Sequence, residues 1–222
     1  MLHAGATLLA GNRDRLYVVM QPWSPALAEP EPRTVQLSID EWAALPEDAP
    51  GELVDGYLTE EEVPDPIHGL AVSWLIALFR AWLGTGKGFV FDSDVKFVLS
   101  ATRGRKPDIS VYLPDRPPPP SRGPLRESPD LVVEVISPSP RDERRDRVEK
   151  MDDYAAFGVP LYWLVDPALG SLEIFELRGG RYTRVLAAVE GTIDTVPGCP
   201  GLVLDVDALW GELRRLRAED RG

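Results

Sequence analysis

The chain has 222 residues, 44% of them hydrophobic and 27% charged, with a formal net charge of −12 at pH 7. That length supports one domain with a substantial core, and the acidic balance argues against a protein held on nucleic acid by bulk electrostatics. Cys199 is the only cysteine, which excludes an internal disulfide and fits a reducing cytoplasm.

Charge is unevenly spread along the chain. Residues 101–150 hold 11 of the 24 Lys and Arg against 9 acids, so a locally basic middle sits on an acidic body. A solvated surface accounts for this comfortably, and a phosphate-facing patch is the minority reading on charge alone. Residues 1–33 are rich in Ala, Gly and Pro with weak periodicity, and read as a peripheral, poorly ordered extension. Met20 is a candidate start within it. The N-terminus carries no basic and apolar leader pattern, so a cytoplasmic location is expected.

Residues 34–216 read as a single domain. Ser38 to Leu45 has the pattern of a short helix, with Ser38 as cap and Glu41 three residues on. Asp55-Gly56 marks a tight turn between apolar pairs. Glu52, just before it, reads locally as a solvated loop acid. Glu60-Glu61-Glu62 reads as a solvated face. Asp65-Pro66 opens a helix to about Leu83, with Leu70, Ala71, Trp74, Leu75, Leu78 and Trp82 at helical spacing. Its longest apolar run, Gly69 to Phe79, ends at Arg80 and is too short to span a bilayer, so no membrane contact is expected. His68 lies in the first turn. There a hydrogen-bonded structural histidine is the usual case, and the helix dipole disfavours its charged form; a site role for His68 is the minority reading.

Phe89 to Leu99 reads as one strand with a charged patch at Asp92, Asp94 and Lys96. The basic run Arg103 to Lys106 follows. Asp108 then opens a second strand, Ile109 to Leu113, after a proline that favours extended entry. Pro114 to Pro124 is a stiff polyproline-like excursion.

Ser128 to Asp166 carries the clearest pattern. Leu131-Val132-Val133-Glu134-Val135-Ile136 and Leu161-Tyr162-Trp163-Leu164-Val165 are apolar on both faces, as strands covered on both sides are. Between them Ser139, Pro140 and Asp142 give a helix start, and Gly158 gives its C-terminal stop. The unit is strand, helix, strand, with the two strands parallel and the crossover right-handed. Glu134 shares a face with Val132 and Ile136. A buried carboxylate is costly unless compensated, so it holds a salt bridge, or a metal ion, or a catalytic proton. Asp130 lies about 13 Å along the strand from Glu134, too far to share an ion with it. After Asp166, Gly179-Gly180 signals a hairpin, and Asp205 or Asp207 caps a last amphipathic helix. Residues 217–222 read as a frayed tail.

Asp108, Glu134 and Lys150 fall on successive elements. Two carboxylates on adjacent strands suit a hard cation, and an ammonium beside them suits a phosphate. On spacing alone this set is a weak signal. Lys106-Pro107-Asp108-Ile109, Pro129 through Ser139, Lys150 with Tyr154, Gly158-Val159 and Tyr162 through Pro167 together resemble the Uma-two family of restriction-endonuclease-like proteins. Glu52 through Gly56, His68-Gly69 and Pro200-Gly201-Leu202 add to the resemblance, which spans roughly Val35 to Trp210.

The resemblance implies an α/β fold of the PD-(D/E)XK type, a central mixed β-sheet flanked by helices. It implies a Mg²⁺- or Mn²⁺-dependent endonuclease acting on DNA. Asp108 and Glu134 match the metal-binding acids, Glu52 an upstream acid completing the shell, and Lys150 a catalytic lysine that has moved onto the helix. Where the superfamily pattern has a lysine two residues after the glutamate, this chain has Ile136. A catalytically silent binding module is therefore one alternative. A phosphodiesterase acting on RNA or another phosphate substrate is a second. Homodimerisation is carried by analogy.

Overall fold

The computed structural model describes residues 35–46, 49–59, 65–137 and 144–219. The N-terminal extension, the Glu60–Glu62 run and the helix start at Ser139, Pro140 and Asp142 lie outside them. In chain order come β1 (Val35–Gln36), α1 (Ile39–Ala44), β2 (Glu52–Val54), β3 (Tyr57–Thr59) and α2 (Pro66–Leu83). Next are β4 (Phe89–Phe91), β5 (Phe97–Ser100), β6 (Arg103–Arg105), β7 (Ile109–Tyr112) and β8 (Leu131–Val135). A π-helical turn, Arg145–Lys150, runs into α3 (Met151–Phe157). β9 (Leu161–Asp166), β10 (Ser171–Arg178), β11 (Arg181–Ala188), β12 (Thr192–Ile193), β13 (Leu204–Asp205) and α4 (Val206–Glu219) complete the chain.

The central sheet has six strands in the order β11-β10-β9-β8-β7-β4. β8 and β9 are parallel, and every other pair in it is antiparallel, so the sheet is mixed, with helices on both sides. The parallel pair is the strand–helix–strand unit expected from the sequence. Gly158 ends α3 at φ 85°, and Val159 donates back to the Tyr154 carbonyl at 3.0 Å, a closure that a left-handed glycine permits.

The two faces of the sheet separate by alternation. Ile109, Val111, Leu131, Val133, Val135, Trp163 and Val165 join one cluster with the buried row of α2 and with Leu209, Trp210 and Leu213 of α4. Phe79 meets Trp163 edge-on at 5.3 Å between ring centroids. The opposite face carries Val132, Ile136, Tyr162 and Leu164 under Tyr154 and Val159.

Sequence expectation and structure part at several points. Phe89 to Leu99 is two strands in two sheets. β4 edges the central sheet, while β5 belongs to a second, five-stranded antiparallel sheet ordered β1-β3-β2-β6-β5. A turn closed by Val95 N–H on the Asp92 carbonyl separates them. Lys96 is not part of a surface patch. Its buried ammonium donates to the carbonyls of Trp42 (3.2 Å), Leu45 (2.7 Å) and Pro46 (3.1 Å) at the end of α1. Arg103–Arg105 is strand β6 rather than a basic connection. Gly104 is required there because an added Cβ would meet the Trp42 ring at 2.4 Å.

α2 runs through Arg80, whose guanidinium finds the Val90 carbonyl at 2.9 Å, and ends at Gly84. It is 18 residues long with a mean hydropathy of 1.4. By length and composition alone it could therefore cross a membrane. Its most buried row is His68, Ala71, Leu75, Phe79 and Leu83, packed on the sheet.

Candidate active site

The register of the central pair sets the site. Ile109 faces Val133 and Ser110 faces Val132, which brings Asp108, just before β7, to the end of β8 that carries Glu134. Asp108 Oδ2 accepts the Val135 N–H at 2.7 Å and lies 3.1 Å from His68 Nε2. Asp65 caps α2 by accepting the His68 N–H at 2.7 Å, which fixes the ring's helix end. Burial pushes the Asp108 carboxyl up, but the bond to His68 and the charges of His68 and Lys150 outweigh it and hold the group low. Burial likewise pushes His68 down, and Asp108 overrides it and raises the imidazole above its ordinary value. The carboxylate partner thus favours the charged imidazole.

Glu134 is 1% exposed, and both of its oxygens are engaged. Oε2 accepts from Lys150 Nζ at 2.8 Å, and Oε1 accepts the Tyr154 hydroxyl at 2.8 Å. Burial drives its carboxyl well above the usual range, Lys150 pulls it back, and Asp108, Asp146 and Glu52 add further repulsion. Lys150, itself buried, also lies 3.3 Å from Asp146 Oδ1 and 4.0 Å from Glu52 Oε1. Among the described residues the ammonium is thus shared by Glu134, Asp146 and Glu52.

Glu52 is not a solvated loop acid. It lies in β2 at 1% exposure, accepting Arg105 Nη1 at 2.6 Å and the Lys106 N–H at 2.8 Å. Burial would raise its carboxyl, but Lys150 and Arg105 bring it down to about 2. Arg105, fully buried, also grips Asp153 of α3, and so ties the second sheet to the helix that follows the lysine. Asp130, away from this cluster, accepts the Leu113 N–H at 2.8 Å, as a strand-entry residue does. Ile136, in the slot where a lysine was expected, packs into the apolar cluster around Tyr154 and Tyr162.

The sequence reading therefore brought together Asp108, Glu134, Lys150, Glu52 and His68, and the structure gathers all five. It missed Arg105, Asp146 and Asp153. Asp146, Lys150 and Tyr154 stand at steps of four, a helical-face signal present in the sequence. Arg105 carries no such signal, because its partners lie 48 and 53 residues away.

Chemically the cluster is an excess of buried carboxylate around one ammonium. Among the described residues, no three His, Cys, Asp or Glu side chains stand close enough to hold a metal ion as arranged. The donor chemistry is nonetheless that of a hard-cation site: carboxylates at the neighbouring ends of β7 and β8, with Asp108 Oδ1 taking no hydrogen bond among the described residues. A cavity of about 520 Å³ lined by Phe89, Phe91 and Arg122 contains none of these acids.

The mixed sheet with its two helical layers is a nuclease-type α/β fold. It matches a crystal structure described as "a putative nuclease belonging to DUF820" from Anabaena variabilis ATCC 29413. The match has a TM-score of 0.63 at 19% identity and covers 80% of this chain and 99% of that one, a likeness of fold. The family model for Uma2, described as "Putative restriction endonuclease", matches residues 39–207, and the chain belongs to that family. No match was found among curated proteins.

Proposed function

We propose that the protein is a Mg²⁺- or Mn²⁺-dependent endonuclease that hydrolyses DNA phosphodiester bonds. The observation that supports this reading is Asp108 bonded to the Val135 N–H, next to Glu134, with the Lys150 ammonium 2.8 Å from Glu134. Asp108 and Glu134 would hold the ion, which when bound polarises a phosphate and lowers the pKa of a water on it. His68 and the Val135 N–H fix the Asp108 carboxylate from one side. Tyr154 fixes Glu134 from another. Lys150 would turn from Glu134 toward the substrate, orient the attacking water and neutralise the charge gathering on the phosphate. Glu52, with both oxygens engaged, can join the metal shell only by releasing Arg105 or the Lys106 amide. In the arrangement seen, it holds that arginine and shares the lysine's charge. A cytoplasmic location and a homodimer complete the reading, the second by analogy with other nucleases of this fold.

A second reading, a catalytically silent relative serving as a binding module, is favoured by the engagement of both Glu134 oxygens and by Ile136. Cleavage of plasmid DNA and of RNA with and without Mn²⁺ separates the readings. The wild type is expected to nick DNA only with the ion present. Asp108→Ala, Glu134→Ala and Lys150→Ala are each expected to abolish nicking while the circular dichroism spectrum is retained. Nicking retained in Lys150→Ala would remove the role given to that ammonium, and RNA cleavage in place of DNA cleavage would move the substrate.

A further inference from the structure

Resting on that reading, we infer that Tyr162 is a positioning residue for the lysine. Its hydroxyl, donating to the Asp146 carbonyl, holds the π-helical turn that aims Lys150 at Glu134. The chain lacks a lysine in the strand, so the ammonium must come from a helix, and a helix presents its residues only at fixed angles. Asp146, Lys150 and Tyr154 all face the acid cluster. Over the eight steps from Asp146 to Tyr154, a regular α-helix turns through about 800°, which leaves them about 80° apart. One i→i+5 turn absorbs that excess and brings the three side chains into line. Lys150 and Tyr154 then bond the two oxygens of the same Glu134.

A side chain that bonds a helical carbonyl competes with the helical ladder for it. Tyr162 supplies such a bond from β9. It is fully buried, and its hydroxyl reaches the Asp146 carbonyl at 2.9 Å. Its ring is fixed between Tyr154 (5.8 Å) and Tyr182 (5.5 Å), so the hydroxyl has little freedom. One residue on, Arg147 bonds Asp166 at 2.8 Å and Glu173 at 2.9 Å. The turn is pinned at two successive residues, on a backbone carbonyl and on a guanidinium, by two neighbouring strands.

The test compares Tyr162→Phe with Tyr182→Phe in the full chain. Both delete one hydroxyl from the same ring stack, but Tyr182 donates to the Val159 carbonyl, beyond the end of α3 and away from the wide turn. Reductive methylation followed by peptide mass spectrometry reads the exposure of Lys150, which is 3% in the intact fold. Lys150 is expected to be protected in the wild type and in Tyr182→Phe, and labelled several-fold faster in Tyr162→Phe. DNA cleavage by Tyr162→Phe is expected to lose on the order of tenfold in kcat with KM little changed. Equal labelling of Lys150 in both variants would overturn the inference. Wild-type protein that cleaves nothing would overturn the nuclease reading, and the labelling would still decide whether Tyr162 sets the lysine.

Discussion

The two faces of the central sheet are built from the same strands and differ in almost everything else. On one, Ile109, Val111, Val133, Val135, Trp163 and Val165 meet the helical rows of α2 and α4 through hydrocarbon and aromatic contact. On the other, Ser110, Glu134 and Asp166 alternate with Val132, Tyr162 and Leu164, all of them buried. The first face gains stability from area removed from water. The second bears the cost of desolvating charge, and meets it with Lys150, Arg105 and Tyr154. A strand needs no change of backbone to do both, because successive side chains point to opposite faces. Most of the buried charge lies on one side of the sheet, and His68 of α2 reaches Asp108 from the other.

That separation can be broken from either side. Asp108→Asn should reduce metal-dependent cleavage on the order of 10²–10³-fold with little change in Tm, measured by nicking assay and thermal melt. Leu75→Ala should do the reverse. It should cost about 2–5 kcal/mol in chemical denaturation, while activity per folded molecule stays that of the wild type. Loss of specific activity in the leucine variant would mean that the faces are coupled.

A pH titration sharpens the comparison. Glu52 is held at about 2 against an ordinary value of 4.5, so its contribution to stability is complete above pH 4.5 and is lost as the pH falls toward 2. Glu134 has the opposite sign, because folding raises its carboxyl and penalises its ionised form as pH rises. Glu52→Gln should therefore flatten the loss of stability between pH 4.5 and 2 seen by denaturation of the wild type. An unchanged slope would assign that loss to other acids. The smallest effect belongs to the apolar side. Cys199 is buried, and burial pushes its thiol up to about 12, so at pH 8 it should stay unlabelled by a thiol reagent until the protein unfolds.

Much of this architecture was legible in the residues. The apolar runs at Leu131 and Leu161, the stop at Gly158 and the Gly179-Gly180 hairpin each carry a local physical signature, and local signatures can be read one segment at a time. The second sheet carries no such mark. No glycine or proline interrupts Phe89 to Leu99, and the division into two strands comes from which partner each half meets. Glu52 and Arg105 each look like surface residues alone, and become a buried pair only when β2 lies against β6. Ion pairs between distant segments cannot be read from either segment. Lys150 was legible only through family resemblance, since its helix is otherwise an ordinary charged one.

The grip of Lys96 on α1 reaches beyond local geometry. A helix of six residues is far below the length that persists unaided in water. Its carbonyl end is held by an ammonium that arrives more than fifty positions later in the chain. During folding α1 therefore has to wait for β5, and once both are in place they should melt as one. Amide hydrogens of α1 should exchange at the slow rate of the sheet rather than at the fast rate of a short terminal helix.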